Sequence, residues 1–403
     1  MSRPRPFVDL RRAAGYSFFF IAFAGRLPVA MIVVGMLTMV TAVRGSIVDA
    51  GIASATVGLA SGLGGPLVGD AADRWGQRWV LTGAAVLNAC AIIGAVLAIQ
   101  VNGPLWAIVL ACALVGVTGP QISPLTRARW LALLDTFPEG EATEAHASAA
   151  MSYEGMADEL TFLFGPILVG LLATLLTPAA PLVLAAALTL VFVSAFAWHA
   201  TAPKTGTSHK HHRTVGSLRP FLKNRVLLPV VGMFTMGAFF GATLTALTEF
   251  MSARSAEAQT GLVYGAMGLT SAICALAVAA VPVRVPLWRR WLVGACIIAI
   301  AAIALPGATE LWQLVVLLMV AGIGSGPTLV TIFRIGATVA PRGRLTTTMA
   351  LLSSGVVVGQ AVATGVSGSI AHAGGYPAVA VVVVAAAIAG FALSLANAAV
   401  SRR

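Results

Sequence analysis

Charged residues are scarce in this chain. Of its 403 residues only 10% are Asp, Glu, Lys or Arg, whereas 58% are hydrophobic and the mean hydropathy is +0.92. A soluble protein of this length would need far more polar surface to cover its core. The shortage therefore excludes a soluble protein and indicates an integral membrane protein. Apolar runs of about 20 residues favour transmembrane helices over the shorter, alternating strands of a membrane barrel.

Several sequence patterns are also absent. The first apolar run, from Tyr16, is too long for a secretory signal and has no A-x-A cleavage pattern, so we expect the N-terminus to be retained. No His-Glu-x-x-His, Gly-x-Ser-x-Gly or Gly-x4-Gly-Lys-Ser/Thr pattern occurs, which argues against an enzyme and against ATP as the energy source. We expect no cofactor. The four cysteines lie within apolar runs, without metal-ligand spacing, and are interpreted as packing residues: Cys90, Cys112, Cys274 and Cys296.

The net charge of +11 reflects membrane topology rather than a nucleic-acid partner. The apolar runs predict twelve spans in an all-α membrane protein, at about 16–43, 46–68, 78–100, 104–126, 147–174, 178–199, 226–250, 261–282, 291–307, 311–333, 346–371 and 376–398. With the N-terminus in the cytoplasm, twenty-two of the 25 Lys and Arg residues fall in the inside segments. This imbalance predicts a multi-pass protein of the cell's inner (plasma) membrane, with both termini cytoplasmic.

A long polar segment divides the twelve spans six and six. We predict an N-terminal six-helix bundle at 1–200, a cytoplasmic linker at 201–225 and a C-terminal six-helix bundle at 226–403. The two bundles are predicted to be pseudo-symmetric, because Gly119-Pro120 followed by Arg127 is echoed 207 positions later by Gly326-Pro327 followed by Arg334. Parallel repeats of this kind are typical of transporters. We expect the chain to act as a monomer.

The loop between the second and third spans reads GDAADRWGQRWVL, from Gly69 to Leu81. The pattern Gly-x-x-x-Asp-Arg-x-Gly-x-Arg resembles the cytoplasmic signature of the major facilitator superfamily, and length, six-plus-six arrangement and loop position agree with it. Gln77 departs from the pattern, since the family usually has a basic residue there. The resemblance implies a conformational latch made of Gly69, Asp73, Arg74, Gly76 and Arg78.

In the family, the equivalent of Asp73 meets the start of span eleven and helps to hold the state that is closed to the cytoplasm. Here that start is Leu345-Thr346-Thr347-Thr348, whose hydroxyls are also helix-capping groups. The alternative interpretation is an ordinary charged turn that enforces the positive-inside orientation. A second feature, Gly165-Pro166 followed by Gly170, resembles a reduced form of the glycine-rich stretch in span five of the superfamily's drug–proton antiporters.

Three carboxylates stand close together in span five: Glu154, Asp158 and Glu159. Ionised groups at a helix centre cost about 2.5–3.5 kcal/mol each, so three unpaired charges would cost about 8 kcal/mol. Glu154 and Asp158 are four residues apart and share one helix face, whereas Glu159 lies about 100° from Asp158. Two partly desolvated carboxylates on one face disfavour joint ionisation. We therefore predict that these acids take up and release protons during transport.

One cation is predicted at the same depth. Arg26 lies within span one about 15 Å beyond Tyr16, and both span one and span five run outward. Arg26 is a candidate charge switch or substrate ligand that would pair with one of the span-five acids, whereas the alternative is a permanent structural ion pair. Pro28 is expected to kink span one beside it. Gln360, an amide deep in span eleven, is the other candidate for substrate binding.

These features predict a secondary active transporter that exports small amphiphilic molecules by alternating access, with protons as coupling ions. Carboxylates alone do not separate proton from sodium coupling. The alternative is uptake or facilitated transport of an anionic metabolite, with Arg26 as its ligand. A membrane sensor built on a transporter frame is a third hypothesis.

Overall fold

A computed structural model of the chain describes residues 6–134, 137, 141–202, 224–254, 260–282, 284–341 and 343–401. The linker predicted at 201–225 falls almost entirely outside these residues, as do the first five residues and the last two. The described residues form helices and turns and contain no strand. The helices, numbered here in chain order, are α1 Pro6–Ala14, α2 Tyr16–Ala24, α3 Leu27–Arg44, α4 Ile47–Trp75, α5 Gln77–Gln100, α6 Leu105–Thr118, α7 Ile122–Leu134, α8 Glu141–Leu175, α9 Ala180–Leu188, α10 Ser194–Trp198, α11 Asn224–Ser252, α12 Thr260–Ala277, α13 Leu287–Ala304, α14 Leu311–Val339 and α15 Leu345–Ser401.

Within the described ranges, twelve helical segments are long and apolar enough to cross a membrane. The first is α2 with α3, the fourth is α6 with α7, and the sixth is α9 with α10, joined through a π-helical turn at Thr189–Val193. The eleventh and twelfth lie on either side of a break in α15, where Gly375 has a φ of 56°. The other spans are single helices, of which the eighth and ninth end in a short 3₁₀ turn. The predicted all-α class with twelve spans is confirmed.

Local chemistry explains where several helices begin and end. Ser46 caps α4, because its hydroxyl accepts a hydrogen bond from the N–H of Asp49 at 3.1 Å. Arg44 donates to Asp49 at 2.7 Å, so an ion pair also lies at this end of the span. Glu310 and Gln313 form a reciprocal capping box at the start of α14. The first span breaks at Gly25 and Arg26, beside Pro28, as expected from a proline that cannot donate to the preceding turn.

Contacts divide the chain into two compact units. The first unit comprises residues 1–138, 161–215 and 342–354. Its core is made of apolar side chains from the first six spans, with Met31 and Met36 fully buried. Gly116 allows the fourth span to approach the second closely, since a Cβ there would lie 2.5 Å from the Cβ of Ala60.

The second unit comprises residues 139–160, 216–341 and 355–403. Its helices also meet at small residues: a Cβ on Gly324 would lie 2.6 Å from the carbonyl oxygen of Gly294, so the ninth and tenth spans pack backbone to backbone. The fifth span contributes to both units. Its first part packs within the second unit, where a Cβ on Gly155 would lie 2.7 Å from Val330. Its second part packs within the first unit, where Gly165 lies against Ala30.

Candidate functional site

The carboxylate of Asp73 caps a helix from a distant part of the chain. Asp73 stands at the end of α4, and its Oδ2 accepts hydrogen bonds at 2.8 Å from both the backbone N–H and the hydroxyl of Thr347. Its Oδ1 accepts a longer bond, 3.3 Å, from the N–H of Thr346. The first N–H groups of a helix have no intrahelical acceptor and carry partial positive charge. The start of α15 is therefore a favourable partner for a negative side chain.

Asp70 adds a second charged contact one turn earlier. It forms an ion pair with Arg74 at 2.7 Å on its own helix and another with Arg344, the residue that precedes α15. Asp70 was not among the residues predicted for the latch. The sequence signal was present, since Asp70 lies four residues before Arg74 and Arg344 lies two residues before the threonine run. One acid thus contacts a guanidinium on each side of the junction.

Two glycines make this junction possible. Gly76 ends α4 and precedes α5 with a φ of 86°, a conformation that residues with a Cβ rarely adopt. Gly69 faces the start of α15: a Cβ there would lie 3.0 Å from the Cβ of Ala350 and 3.2 Å from the carbonyl oxygen of Thr346. Both positions therefore depend on the absence of a side chain.

The departure at Gln77 has a local explanation. Gln77 is buried, and its Oε1 accepts a hydrogen bond at 2.7 Å from Nε of Arg129, a guanidinium with no exposed surface. Arg129 also donates to the carbonyl oxygen of Phe196 at 2.6 Å and stacks over its ring at 3.6 Å. A basic side chain at position 77 would face this buried cation. Arg78, the last residue of the signature, lies over the ring of Trp198 at 5.7 Å.

The three acids of the fifth span differ in exposure. Glu154 is fully buried, whereas Asp158 and Glu159 are partly buried. Glu159 stands at the middle of its span, sixteen residues from either end of Thr143–Leu175. Arg26 belongs to the first compact unit and these acids to the second, so the pairing between them stays a prediction.

Glu159 has hydroxyl partners that sequence reasoning missed. Ser271 on α12 donates a hydrogen bond to Oε1 of Glu159 at 2.7 Å, and Ser325 on α14 donates to Ser271 at 3.1 Å. Ser325 is also at the middle of its span, fourteen residues from either end of Leu311–Val339. Gly268, one turn before Ser271, faces the same carboxylate, since a Cβ there would make an ordinary contact of 3.9 Å with Oε2. A chain of polar groups thus crosses three neighbouring helices.

Arg26 is buried at the break in the first span, with 3% of its surface exposed. Its Nη2 donates to the hydroxyl of Thr126 on α7 at 2.6 Å, and Thr126 in turn donates to the carbonyl oxygen of Ser123 at 2.8 Å. Thr126 is a partner that no sequence pattern indicated. The hydrogen bond ties the first span to the fourth within the first unit.

Gln360, the other predicted substrate ligand, is half-buried on the eleventh span. A Cβ on Gly241 of the seventh span would lie 2.4 Å from the backbone carbonyl oxygen of Gln360, so the two helices approach closely here. In the part of the chain that the structure describes, no group of three or more His, Cys, Asp or Glu side chains could hold a metal ion.

Comparison with known proteins places the chain among transporters. The family model described as the Major Facilitator Superfamily matches residues 18–309. A search of curated proteins returned no match. Among solved structures, the human organic anion transporter MFSD10 (TETRAN) is similar with a TM-score of 0.72 and 16% identity, covering 97% of this chain and 100% of that one. A bacterial homologue of the iron transporter ferroportin, in an outward-facing state with soaked iron, gives a TM-score of 0.71 and 15% identity, covering 94% and 98%.

Proposed function

Since the chain belongs to the Major Facilitator Superfamily and is therefore a multi-pass membrane transporter rather than an enzyme, we propose that it exports small amphiphilic molecules in exchange for protons. In this alternating-access cycle the substrate site would open to each side of the membrane in turn. We further propose that both termini and the linker at 201–225 are cytoplasmic, because this orientation places most Lys and Arg residues inside.

The observation that supports proton coupling best is the polar chain at mid-span. Glu159 and Ser325 lie at the middle of their apolar spans, and Ser271 joins them through hydrogen bonds. An ionised carboxylate at this depth is costly unless it is hydrogen-bonded or paired. Ser271 stabilises the ionised form by donating to it, whereas a protonated Glu159 would donate a hydrogen bond of its own. The serine hydroxyl suits both states.

The two other acids would complete the coupling site. Glu154 is fully buried and Asp158 lies one turn further along the same face, so their charges disfavour each other. Arg26 would provide the opposing cation in one state of the transport cycle. The contact between Asp73 and the start of α15, reinforced by Asp70 and Arg344, would hold the cytoplasmic latch.

Proteoliposomes that contain the purified protein and a pH-sensitive dye test the coupling. Addition of a transported compound should move protons, and an imposed proton gradient should drive transport whereas a sodium gradient should not. We expect Glu159→Gln and Asp158→Asn to abolish the proton movement, whereas Asp49→Asn, at the outer end of the second span, should leave it intact. Unchanged proton movement in both acid variants would contradict the coupling assignment.

A second candidate function depends on Arg26. Its guanidinium is buried at a break in the first span, which is a position where a substrate anion could replace the hydrogen bond to Thr126. In that case the protein would carry an anionic metabolite, and Gln360 would supply an amide for the same substrate. Arg26→Lys should then raise the KM for anions more than it alters the proton dependence. Equal transport of neutral and anionic compounds by the native protein would rule out this alternative.

A further inference from the structure

A small cavity in the second unit is lined by charged side chains that the proposed transport cycle does not use. Its volume is about 100 Å³, and it lies where the start of α8, the start of α13 and the end of α14 meet. The polar lining consists of Glu144, Ser148, Arg290 and Arg334. Two guanidinium groups and one carboxylate give the cavity a net positive charge. Such a volume accommodates several water molecules or one phosphate group.

Arg290 is held in place with part of its donor capacity unused. Its Nε donates to the carbonyl oxygen of Val285 at 3.0 Å, and its Nη2 donates to that of Pro282 at 2.9 Å. These bonds fix the guanidinium plane and leave Nη1 for a further acceptor. The cavity also includes Leu287, the first residue of α13, and the first N–H groups of a helix attract anions.

Arg334 is paired, but its partner can leave. Arg334 forms an ion pair with Glu144, and its own side chain is only 9% exposed, whereas that of Glu144 is 59% exposed. An exposed carboxylate contributes little to such a pair because water and salt compete for it. Glu144 can therefore rotate into solvent, whereas Arg334 stays in the cavity. A stronger anion at this place would replace the carboxylate.

We propose that this cavity binds the phosphate group of an anionic phospholipid of the cytoplasmic leaflet. The inference depends on the orientation proposed above, which places the start of the ninth span at the cytoplasmic interface, and it does not depend on proton coupling. Basic pockets between helices on that side are suited to anionic headgroups. Trp288 follows the lining residue Leu287 in the sequence, and Arg289 lies over its ring at 5.1 Å. Tryptophan is typical of the interfacial level where headgroups lie.

The bound phosphate would accept hydrogen bonds from Nη1 of Arg290 and from Arg334, and Glu144 would be released. A bound lipid would then break the ion pair that links Glu144, at the start of the fifth span, to Arg334, near the end of the tenth. The carboxylate of Glu144 is a competitor of the lipid in this arrangement. Its removal should therefore strengthen binding, which a purely structural ion pair would not predict.

Native mass spectrometry of the full-length protein in detergent tests the site, with phosphatidylglycerol or phosphatidylcholine added. We expect one retained phosphatidylglycerol and no comparable retention of phosphatidylcholine. Arg290→Gln should weaken retention about tenfold, since one charged hydrogen-bond donor is lost. Arg289→Gln is the matched control, because it removes the same charge from the preceding residue, which lies outside the cavity. It should change retention by less than about twofold, since exposed charges are screened.

Glu144→Gln should strengthen phosphatidylglycerol retention, and its exposed position makes a folding defect unexpected. Equal effects of the Arg289 and Arg290 variants, or weaker retention in Glu144→Gln, would overturn the proposal. Free glycerol phosphate distinguishes a soluble phosphate from a lipid headgroup as the ligand of the cavity. If it protects the protein from thermal unfolding with the same dependence on Arg290, the cavity binds a soluble anion and the lipid assignment is wrong.

Discussion

Asp73 and Thr347 are 274 positions apart in the chain and are joined by two hydrogen bonds of 2.8 Å, one from the threonine N–H and one from its hydroxyl. A carboxylate at the end of the second span therefore serves as the N-cap of the eleventh. The negative charge of Asp73 lies at the positive end of the helix dipole. The electrostatic attraction therefore adds to the hydrogen bonds.

Asp73→Asn should expose the start of α15 to solvent exchange. Asparagine keeps the shape of the side chain but loses the charge and one acceptor oxygen. Hydrogen bonds to charged groups contribute about 1.5–3 kcal/mol, so exchange of the Thr346 and Thr347 amides should become about ten- to a hundredfold faster. Hydrogen–deuterium exchange with mass spectrometry measures this. Asp49→Asn is the control, and unaltered exchange at Thr347 would show that the cap does not protect the helix.

Gly165→Ala should destabilise the packing of the fifth span on the first. The new Cβ would lie 2.5 Å from the Cβ of Ala30, and overpacking of this kind costs about 1–3 kcal/mol. Gly170→Ala on the same helix is the matched control. Among the described residues, and apart from the backbone of its own helical turns, no atom lies within 4 Å of the Cβ position at Gly170, and alanine is the better helix former there.

Thermal unfolding in detergent should therefore give a lower melting temperature for Gly165→Ala than for Gly170→Ala. The double variant Gly165→Ala with Ala30→Gly should recover part of the loss, because it removes the nearest overlapping atom. Equal melting temperatures for the two single variants would contradict the predicted overpacking between Gly165 and Ala30.

Gln77→Arg should destabilise this chain, although it brings the signature closer to the family pattern. The new guanidinium would replace the amide oxygen that accepts from Arg129, and two buried cations would then face each other. Arg129→Gln in the same chain should restore stability, since it reverses the two side chains. A thermal melting series of both single variants and the double variant checks this. Additive losses in the double variant would contradict the paired role of these residues.

His199→Gln should reduce the sensitivity of folding to acid. Burial lowers the pKa of His199, and the nearby guanidinium of Arg129 lowers it further. The unfolded chain therefore binds more protons at this residue than the folded chain, and stability is lost as the pH falls below the unfolded pKa of about 6.5. Melting temperatures measured from pH 8 to about pH 5 should fall less in the variant than in the native protein. The two proteins should differ least at pH 8, and parallel curves throughout would exclude the effect.

The twelve spans were predictable because each apolar run is long enough to cross a bilayer, and hydropathy records this directly. Their ends were less predictable. The second span was expected to finish near position 68, but α4 continues to Trp75 through the polar signature. Helical hydrogen bonds extend across polar residues as readily as apolar ones, and only Gly76 ends them. The break at Arg26 was predictable from Pro28, which cannot donate a backbone hydrogen bond.

Partners were predictable only where a pattern or a resemblance indicated them. The contact between Asp73 and α15 was expected from the resemblance. Ser271 and Glu159 are 112 positions apart in the sequence, and Gln77 and Arg129 are 52 positions apart. Each hydrogen bond joins two different helices. Such contacts depend on helix rotation and packing, which hydropathy does not encode. The substrate-binding role of Arg26 and Gln360 stays a prediction for the same reason.

The cap on α15 also has a consequence for biosynthesis. Ribosomes add about 5–20 residues per second, so the chain between Asp73 and Thr347 takes on the order of half a minute to synthesise. During that interval the end of the second span is already made, while its threonine partner does not yet exist. The nascent N-terminal part must therefore wait for nearly the whole polypeptide before this junction closes, which makes its completion one of the last steps in maturation.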